Sequence, residues 1–251
     1  MSQRLPISVC MLCLNEADRL PKTLEPVRHF AEWLVFDTGS TDNSIELCQQ
    51  AGATVVEQSW EGFTKTRQKH FQQASQNWIL WLDADEVITP ALVEELQELF
   101  KNDPKHAAYW LNRMMYFEGK WIRHGDWFPD WNVRLFKQGT WHMEDREVHE
   151  RMNIEGSIGR LKNHLDHYSF RSWADKEQRS EKYAQLWAKM QAKQNKKSNA
   201  ASAITRGIWK FIRGYFLKKG LLDGSIGFKI AASNARETYL KYSLLRQPPE
   251  E

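Results

Sequence analysis

Asp83-Ala84-Asp85-Glu86 puts three carboxylates within four positions, directly after the apolar run Trp78-Ile79-Leu80-Trp81-Leu82. Such a run reads as a buried strand. On a strand that continues straight, Asp83 and Asp85 share one face. Like charges that close repel unless a cation or a shared proton stabilises them. At the C-terminal end of a strand in an α/β sheet, where ligands sit, the pair suits a divalent metal with something anionic beside it. Two other uses compete. Acidic residues favour helix N-termini, but Thr89-Pro90 supplies the cap for the amphipathic run Ala91 to Phe100 and leaves Asp83 and Asp85 unemployed. An Asp-x-Asp after an apolar strand can also present a nucleophile and an acid to a phosphoester.

Two more apolar runs end in polar clusters. Asn15-Glu16 follows Ile7 to Leu14, and Asp37-Thr38-Gly39-Ser40-Thr41-Asp42 follows Trp33 to Phe36. A carboxylate at Asp37 can bond a ribose or a base edge; equally, the glycine allows a tight turn and Ser40 to Asp42 can cap a helix. The letters Asp-Thr-Gly-Ser also mark aspartic proteases, which need an all-β lobe and a second aspartate of the same kind, and neither is present. Arg67, ahead of the fourth strand, could bring positive charge to the same edge.

The elements that must position these groups alternate along the first hundred residues. Strands are expected at 7–12, 33–36, 54–56 and 78–82, and helices at 16–29, 41–51 and 63–75, which implies a parallel, doubly wound sheet covered on both faces. In such a sheet the three polar strand ends meet at one edge. Residues 96–170 break the rhythm with short aromatic-rich segments such as Ala107 to Met115 and Val133 to Phe136. From Arg171 the pattern is helical, with Trp173 to Gln194, a polar stretch Asn195 to Asn199, and Ala201 to Leu245.

In this order, Leu14-Asn15-Glu16, Phe36 to Ser44, Arg67 and Leu80 to Glu86 resemble the motifs of family 2 nucleotide-sugar glycosyltransferases. The resemblance covers roughly residues 5–170 and implies an α/β GT-A fold, Rossmann-like with a mostly parallel sheet flanked by helices, followed by a C-terminal helical extension. The expected organisation is a catalytic domain over 1–170, with a nucleotide-sugar half at 1–95 and an acceptor half at 96–170, and a basic helical region over 171–251. The resemblance implies that Asn15, Glu16, Asp37, Arg67 and Asp83 bind a UDP-sugar donor, with Asp37 on the uracil–ribose side. It also implies that Asp85 binds Mg2+ or Mn2+ on the diphosphate, with His167 as a further metal ligand.

His124 to Asp130, Arg134-Leu135-Phe136, Val148-His149-Glu150 and Lys218 to Phe228 resemble a narrower branch, the bacterial lipopolysaccharide core β-1,4-glucosyltransferases that act on inner-core heptose. That implies a lipopolysaccharide core acceptor, with Trp127, Asp130 and Arg134 as acceptor-binding residues; a capsule or exopolysaccharide acceptor is the alternative. Trp110, Trp121, Trp127, Trp131 and Trp141 crowd the same interval, and the apolar faces of sugar rings stack on aromatics. Arg113, Lys120, Arg123 and Arg134 could meet anionic acceptor groups. An inverting transfer needs a general base to take the acceptor hydroxyl proton. Glu150 is the candidate, with Glu144 and Asp145 as rivals.

Between Ile204 and Lys219 stand Arg206, Lys210, Arg213, Lys218 and Lys219 with no acidic residue, interleaved with Ile208, Trp209, Phe211, Ile212, Tyr215, Phe216 and Leu217. That mixture describes a helix lying on anionic lipid. Over 251 residues the net charge of +3 gives no global basic footprint, so nucleic acid is not expected as a partner. Three cysteines, an odd number, fit a reducing compartment. Cys10-x-x-Cys13 lies inside a strand pattern without a second pair, against zinc. With no signal-peptide pattern and no long apolar stretch, the expected location is cytoplasmic, at the inner face of the inner membrane.

Overall fold

The computed structural model describes residues 4–144 and 151–246. The chain divides into two compact units, one made of residues 1–113 and 130–167, the other of 114–129 and 168–251.

The first unit is built on a sheet in the order β3-β2-β1-β4-β8-β6-β11-β5. Its strands are β1 (Leu5–Cys13), β2 (Phe30–Asp37), β3 (Thr54–Glu57), β4 (Trp78–Asp83), β5 (Glu86–Ile88), β6 (Ala108–Phe117), β8 (Asp130–Lys137) and β11 (Ile158–His167). The β3-β2-β1-β4 portion is parallel, and β4–β8, β8–β6 and β11–β5 are antiparallel. A separate hairpin joins β9 (Trp141–Glu144) to β10 (Arg151–Ile154). Two apolar layers hold the sheet. Ile7, Val9, Met11, Leu80 and Leu82 pack one face against Leu92 and Leu96, while Cys10, Phe36 and Ile79 pack the other against Phe71 and Phe136. Strand residues alternate between these layers because successive side chains point to opposite faces.

The helices are α1 (Leu20–Thr23), α2 (Ser44–Gln50), α3 (Phe63–Gln72) and α4 (Pro90–Lys101). The expected helix over 16–29 is only one α-turn followed by a 3-10 segment, Glu25–His29. Pro26 explains the break: it has no N–H to donate, and its ring clashes with the carbonyl four residues back. In α4 the cap is the expected one, with Thr89 Oγ1 accepting from the Leu92 N–H at 3.2 Å. In the aromatic-rich stretch after residue 96, Ala108–Phe117, Asp130–Lys137 and Ile158–His167 are strands of 10, 8 and 10 residues, while Lys120–Trp121, Trp141–Glu144 and Arg151–Ile154 are the short segments expected. In β11 the signal was masked by charge: Leu161, Leu165 and His167 are buried among Arg160, Lys162 and Asp166.

One buried group in this unit makes stability depend on pH. His70 on α3 is fully buried, stacks on Phe36 with ring centroids 4.2 Å apart, and bonds the Leu34 carbonyl through Nε2 at 2.9 Å. Its Nδ1 is buried without a partner, so the neutral ring donates from Nε2. Burial pushes its pKa down from 6.5 to about 3, and Arg67 adds to the effect. Between those values the unfolded chain binds a proton that the folded chain refuses, so stability is lost as pH falls from 6.5. From pH 7 to pH 5 this single group should cost about 2 kcal/mol. Denaturant unfolding at the two pH values checks it: His70→Gln, which keeps an N–H donor, should lose about that much less than wild type.

The second unit contains β7 (Lys120–Trp121), paired with Tyr116 and Phe117, and the helices α5 (Trp173–Lys193), α6 (Ala200–Ile212) and α7 (Gly224–Leu244). Its core joins Met115, Phe117 and Ile122 to Ile226 and Ile230, with Trp127, Phe170 and Trp173 packed around them. The helix expected over 201–245 is interrupted by a π-helical turn, Arg213–Leu217, and a 3-10 turn, Gly220–Asp223. Backbone contact dictates the sequence there. A Cβ on Gly227 would lie 1.9 Å from the Gly220 carbonyl oxygen, so only glycine fits. Three of the five cations expected to face lipid pair with a protein anion: Lys210, Arg213 and Lys218 bind the buried Asp126 carboxylate at 3.0, 2.8 and 3.1 Å, Arg213 and Lys218 remaining partly exposed.

Candidate active site

Strand order locates the crevice. From β1 the chain steps outward to β2 and β3, then crosses back to β4 on the other side of β1. Ligands of such sheets bind outside the carboxyl ends of the strands where the order reverses, here between β1 and β4. In the ladder, Cys13 lies opposite Asp37 on one side, and Leu12 lies opposite Asp83 on the other. Asp37 and Asp83 thus stand two strand spacings apart, roughly 10 Å, with the Asn15–Glu16 loop leaving the strand between them.

The loops after β1 and β2 are laced together. Asn15, at φ 54°, accepts the Thr41 N–H on Oδ1 at 2.8 Å and donates its own N–H to Ser40 Oγ at 2.9 Å. The Glu16 N–H donates to Ser44 Oγ at 2.9 Å, and the Glu16 carboxylate bonds Arg19. Asp37 is buried, and its Oδ2 accepts the N–H groups of Gly39 and Ser40 at 2.9 and 2.8 Å, while Ser40 Oγ donates to Oδ1. Gly39 takes φ 113°, which a side chain would resist. Asp37 thus holds the turn that carries Thr38 to Ser40 over the strand ends.

Asp83 lies in an arginine nest. Its Oδ1 accepts from Arg67 Nη2 at 2.8 Å and Trp81 Nε1 at 3.3 Å, and its Oδ2 accepts from Arg134 Nη2 at 2.7 Å. The same Arg134 nitrogen reaches Glu86 Oε1 at 2.5 Å, which Arg113 Nη1 also meets at 3.1 Å. Arg113 turns its other edge to Asp130, with Nε at 2.8 Å and Nη2 at 2.6 Å from Oδ2. The guanidiniums of Arg67 and Arg134 lie 4.4 and 4.7 Å from the Trp81 ring centroid. Burial pushes the Asp83 carboxyl up, but Arg134 and Arg67 outweigh it and hold it well below the usual carboxylate range. Three carboxylates and three arginines are thereby joined in one network.

Asp85 points elsewhere. The strand ends at Asp83, and Ala84-Asp85 form a turn, so the two aspartates do not share the one face expected of a straight strand. The turn is pinned by Thr23 Oγ1, which donates to the Ala84 carbonyl at 2.9 Å. Asp85 Oδ2 sits 3.6 Å from His167 Nε2, brought there because His167 pairs with Glu86 across β11 and β5. Burial pushes the Asp85 carboxyl up, and the His167 imidazole more than offsets this, so it stays ionised. The Asp85 carboxylate fits a hard cation, since Mg2+ or Mn2+ is commonly held by one or two carboxylates while substrate phosphates and water complete its shell; the His167 imidazole is a softer nitrogen ligand. Among the described residues no group of three His, Cys, Asp or Glu side chains that could hold an ion is present.

Of the residues expected to serve the site, Asn15, Glu16, Asp37, Asp83 and Asp85 come together at the strand ends, with Arg67, Arg134 and Asp130 joined to Asp83 through the nest. Arg134 is buried and bonded to Asp83 and Glu86, which opposes a direct grip on the acceptor. Trp127 lies in the second unit, 5.4 Å from Phe170 and 5.7 Å from Phe117 between ring centroids, as a packing residue of that core. Glu150 and Asp145 lie outside the described residues; Glu144 accepts from Asn153 Nδ2 at 2.7 Å. Glu86 had no assigned role in the sequence. Its signal was present as the third carboxylate of the run, and a fully buried acid must have partners.

A family model described as Glycosyl transferase family 2 matches residues 8–160. The chain belongs to this family and is a glycosyltransferase with the GT-A architecture. Among curated relatives, the lipopolysaccharide core biosynthesis glycosyltransferase LpsC of Rhizobium meliloti is 28% identical, over 99% of this chain and 97% of its own. An uncharacterized glycosyltransferase of Rickettsia felis is 26% identical, over 96% of this chain and 89% of its own. Among solved structures, Mycobacterium tuberculosis glucosyl-3-phosphoglycerate synthase with Mn2+, UDP-glucose and phosphoglyceric acid gives a TM-score of 0.37 at 19% identity, over 45% of this chain and 44% of that one. Staphylococcus aureus TarS gives 0.45 at 15%, over 71% and 39%. The chain therefore spans less than half of either solved chain.

Proposed function

We propose that the enzyme transfers glucose from UDP-glucose, with inversion, to heptose of the lipopolysaccharide inner core, at the cytoplasmic face of the inner membrane and in peripheral contact with it. The observation that carries the donor reading is the placement of Asp37 and Asp83 at the strand ends flanking β1, with Asp85 in the turn that follows Asp83. Near end-to-end similarity to LpsC, whose name states lipopolysaccharide core biosynthesis, supports the acceptor class.

In this reading the strand ends divide the labour. The Asp37 turn borders the nucleoside, and Asp83, fixed by Arg67 and Arg134, presents a rigid edge to the ribose. Asp85 and His167 would hold a divalent cation, and such a cation would supply positive charge to offset that of the departing UDP. The leaving group then needs no proton from the chain. Glu150 acts as base, taking the proton from the acceptor hydroxyl as that oxygen attacks the anomeric carbon from the opposite side. The carbon carries oxocarbenium character as the bond to UDP breaks.

Donor and base can be tested together. With UDP-glucose, UDP-galactose, UDP-N-acetylglucosamine and ADP-sugars offered in parallel, turnover should favour UDP-glucose. Glu150→Gln should lower turnover by about 100-fold or more while leaving UDP-glucose affinity within about twofold. Preference for another donor sinks the glucose assignment, and full activity of Glu150→Gln with loss in Asp145→Asn moves the base.

A further inference from the structure

Helix α6 is amphipathic, and its apolar arc faces out. At about 100° per residue, Ile204, Ile208, Ile212 and Trp209 fall within an arc of roughly 140°, and all four are exposed. The side buried on α7 carries small residues instead, Ala203 and Gly207, with Gly207 packed near the Ala235 carbonyl and Tyr239. A helix that packs its greasy arc on a core would show the reverse. The apolar surface continues past α6 through Phe216 and Leu217 in the π-helical turn and Leu221 and Leu222 in the next turn, Leu217 being 61% and Leu222 59% exposed. Nine of the sixteen exposed large apolar side chains among the described residues lie between Ile204 and Phe228. Concentrated exposure of this kind marks an interaction surface.

Charge selects the occupant. From residue 199 to residue 236 the sequence holds one acid, Asp223. That acid is turned inward, accepting the His124 N–H at 2.9 Å and pairing with His124 Nδ1 at 2.8 Å. Asp126, which meets the segment at α6 and the turn after it, is buried beneath Lys210, Arg213 and Lys218, while Glu177 and Glu181 pair with Arg236 at the far end of the segment. Arg206, Lys219 and Lys229 are exposed. The outer surface of the segment is therefore apolar with cationic points and no exposed carboxylate. Among the described residues no helix is long and apolar enough to cross a membrane; an apolar face ringed by cations is the pattern of a helix that lies in the interface of one.

We infer that the outer face of α6 and the two turns that follow it is a docking site for an anionic phospholipid bilayer, entered by Trp209, Ile212, Phe216, Leu217, Leu221 and Leu222. This deepens the membrane contact proposed above by naming its surface and rests on no sugar chemistry, so the two can fail separately. The test is flotation of the whole protein with phosphatidylethanolamine–phosphatidylglycerol vesicles, against phosphatidylcholine vesicles. Wild type should float with the anionic vesicles and only weakly with the neutral ones. Trp209→Ser/Phe216→Ser/Leu217→Ser should lower partitioning at least about tenfold, and Lys219→Gln/Lys229→Gln about fivefold per charge. As a check without a destabilising change, lipids brominated on the acyl chains should quench wild-type tryptophan fluorescence, and Trp209→Phe should remove part of that quenching. Equal binding to neutral vesicles, or no Trp209-dependent quenching, overturns the inference. So does a concentration-dependent dimer that the triple substitution abolishes, which would make a second copy the occupant.

Discussion

Asp85→Asn should lower kcat/KM for transfer by about 1000-fold or more. In the proposed reading the lost carboxylate charge is the one that would hold a cation against the departing diphosphate, and such charge stabilisation contributes several kcal/mol at the transition state. The fold should survive, because Asp85 stands in a turn and makes no bond in the nest; its neighbour is His167 at 3.6 Å. A chelator should silence wild type to a similar extent, and Mn2+ or Mg2+ should restore it, while neither should move the variant much. Steady-state kinetics with and without added metal check this. Wild-type turnover that survives both Asp85→Asn and chelation would contradict the cation assignment.

Arg134→Met should act differently, on stability first. The arginine is buried, and it bridges Asp83 to Glu86, itself fully buried. Removing one partner of a buried pair leaves uncompensated charge and typically costs about 3–5 kcal/mol. Denaturant unfolding should show that loss. The double variant Arg134→Met/Glu86→Met should be more stable than the sum of its single changes, because removing both partners leaves less stranded charge. Unchanged stability with acceptor KM alone raised would instead place Arg134 on the acceptor, as the sequence motif implies.

The contrast between these two residues shows what a sequence exposes and what it hides. The alternating apolar runs located the four parallel strands because burial on both faces leaves near-continuous hydrophobic stretches. The polar ends of three of them marked the crevice, since chain order and strand order together bring those ends to one edge. Partnership was not legible. Arg134, in Arg-Leu-Phe, was expected to bind the acceptor, yet the antiparallel β4–β8 pairing places it on Asp83. Glu86 looked like the tail of an acidic run, yet it is the buried anion that two arginines share. Trp127, one of five clustered tryptophans, packs in the core of the second unit. Basic residues of α6 and the following turn read as lipid contacts, but Asp126, more than eighty positions earlier, collects three of them. Contacts between residues far apart in sequence are set by topology, which composition and periodicity do not encode.

Transfer itself is the central claim, and one measurement reaches it directly. The purified enzyme, incubated with UDP-glucose, Mg2+ and a heptose-bearing lipopolysaccharide core acceptor, should yield a product heavier by one hexose in mass analysis, with the new linkage in the β configuration by NMR. An unchanged acceptor alongside turnover of UDP-glucose on a different surface glycan, or a product of α configuration, would contradict the account.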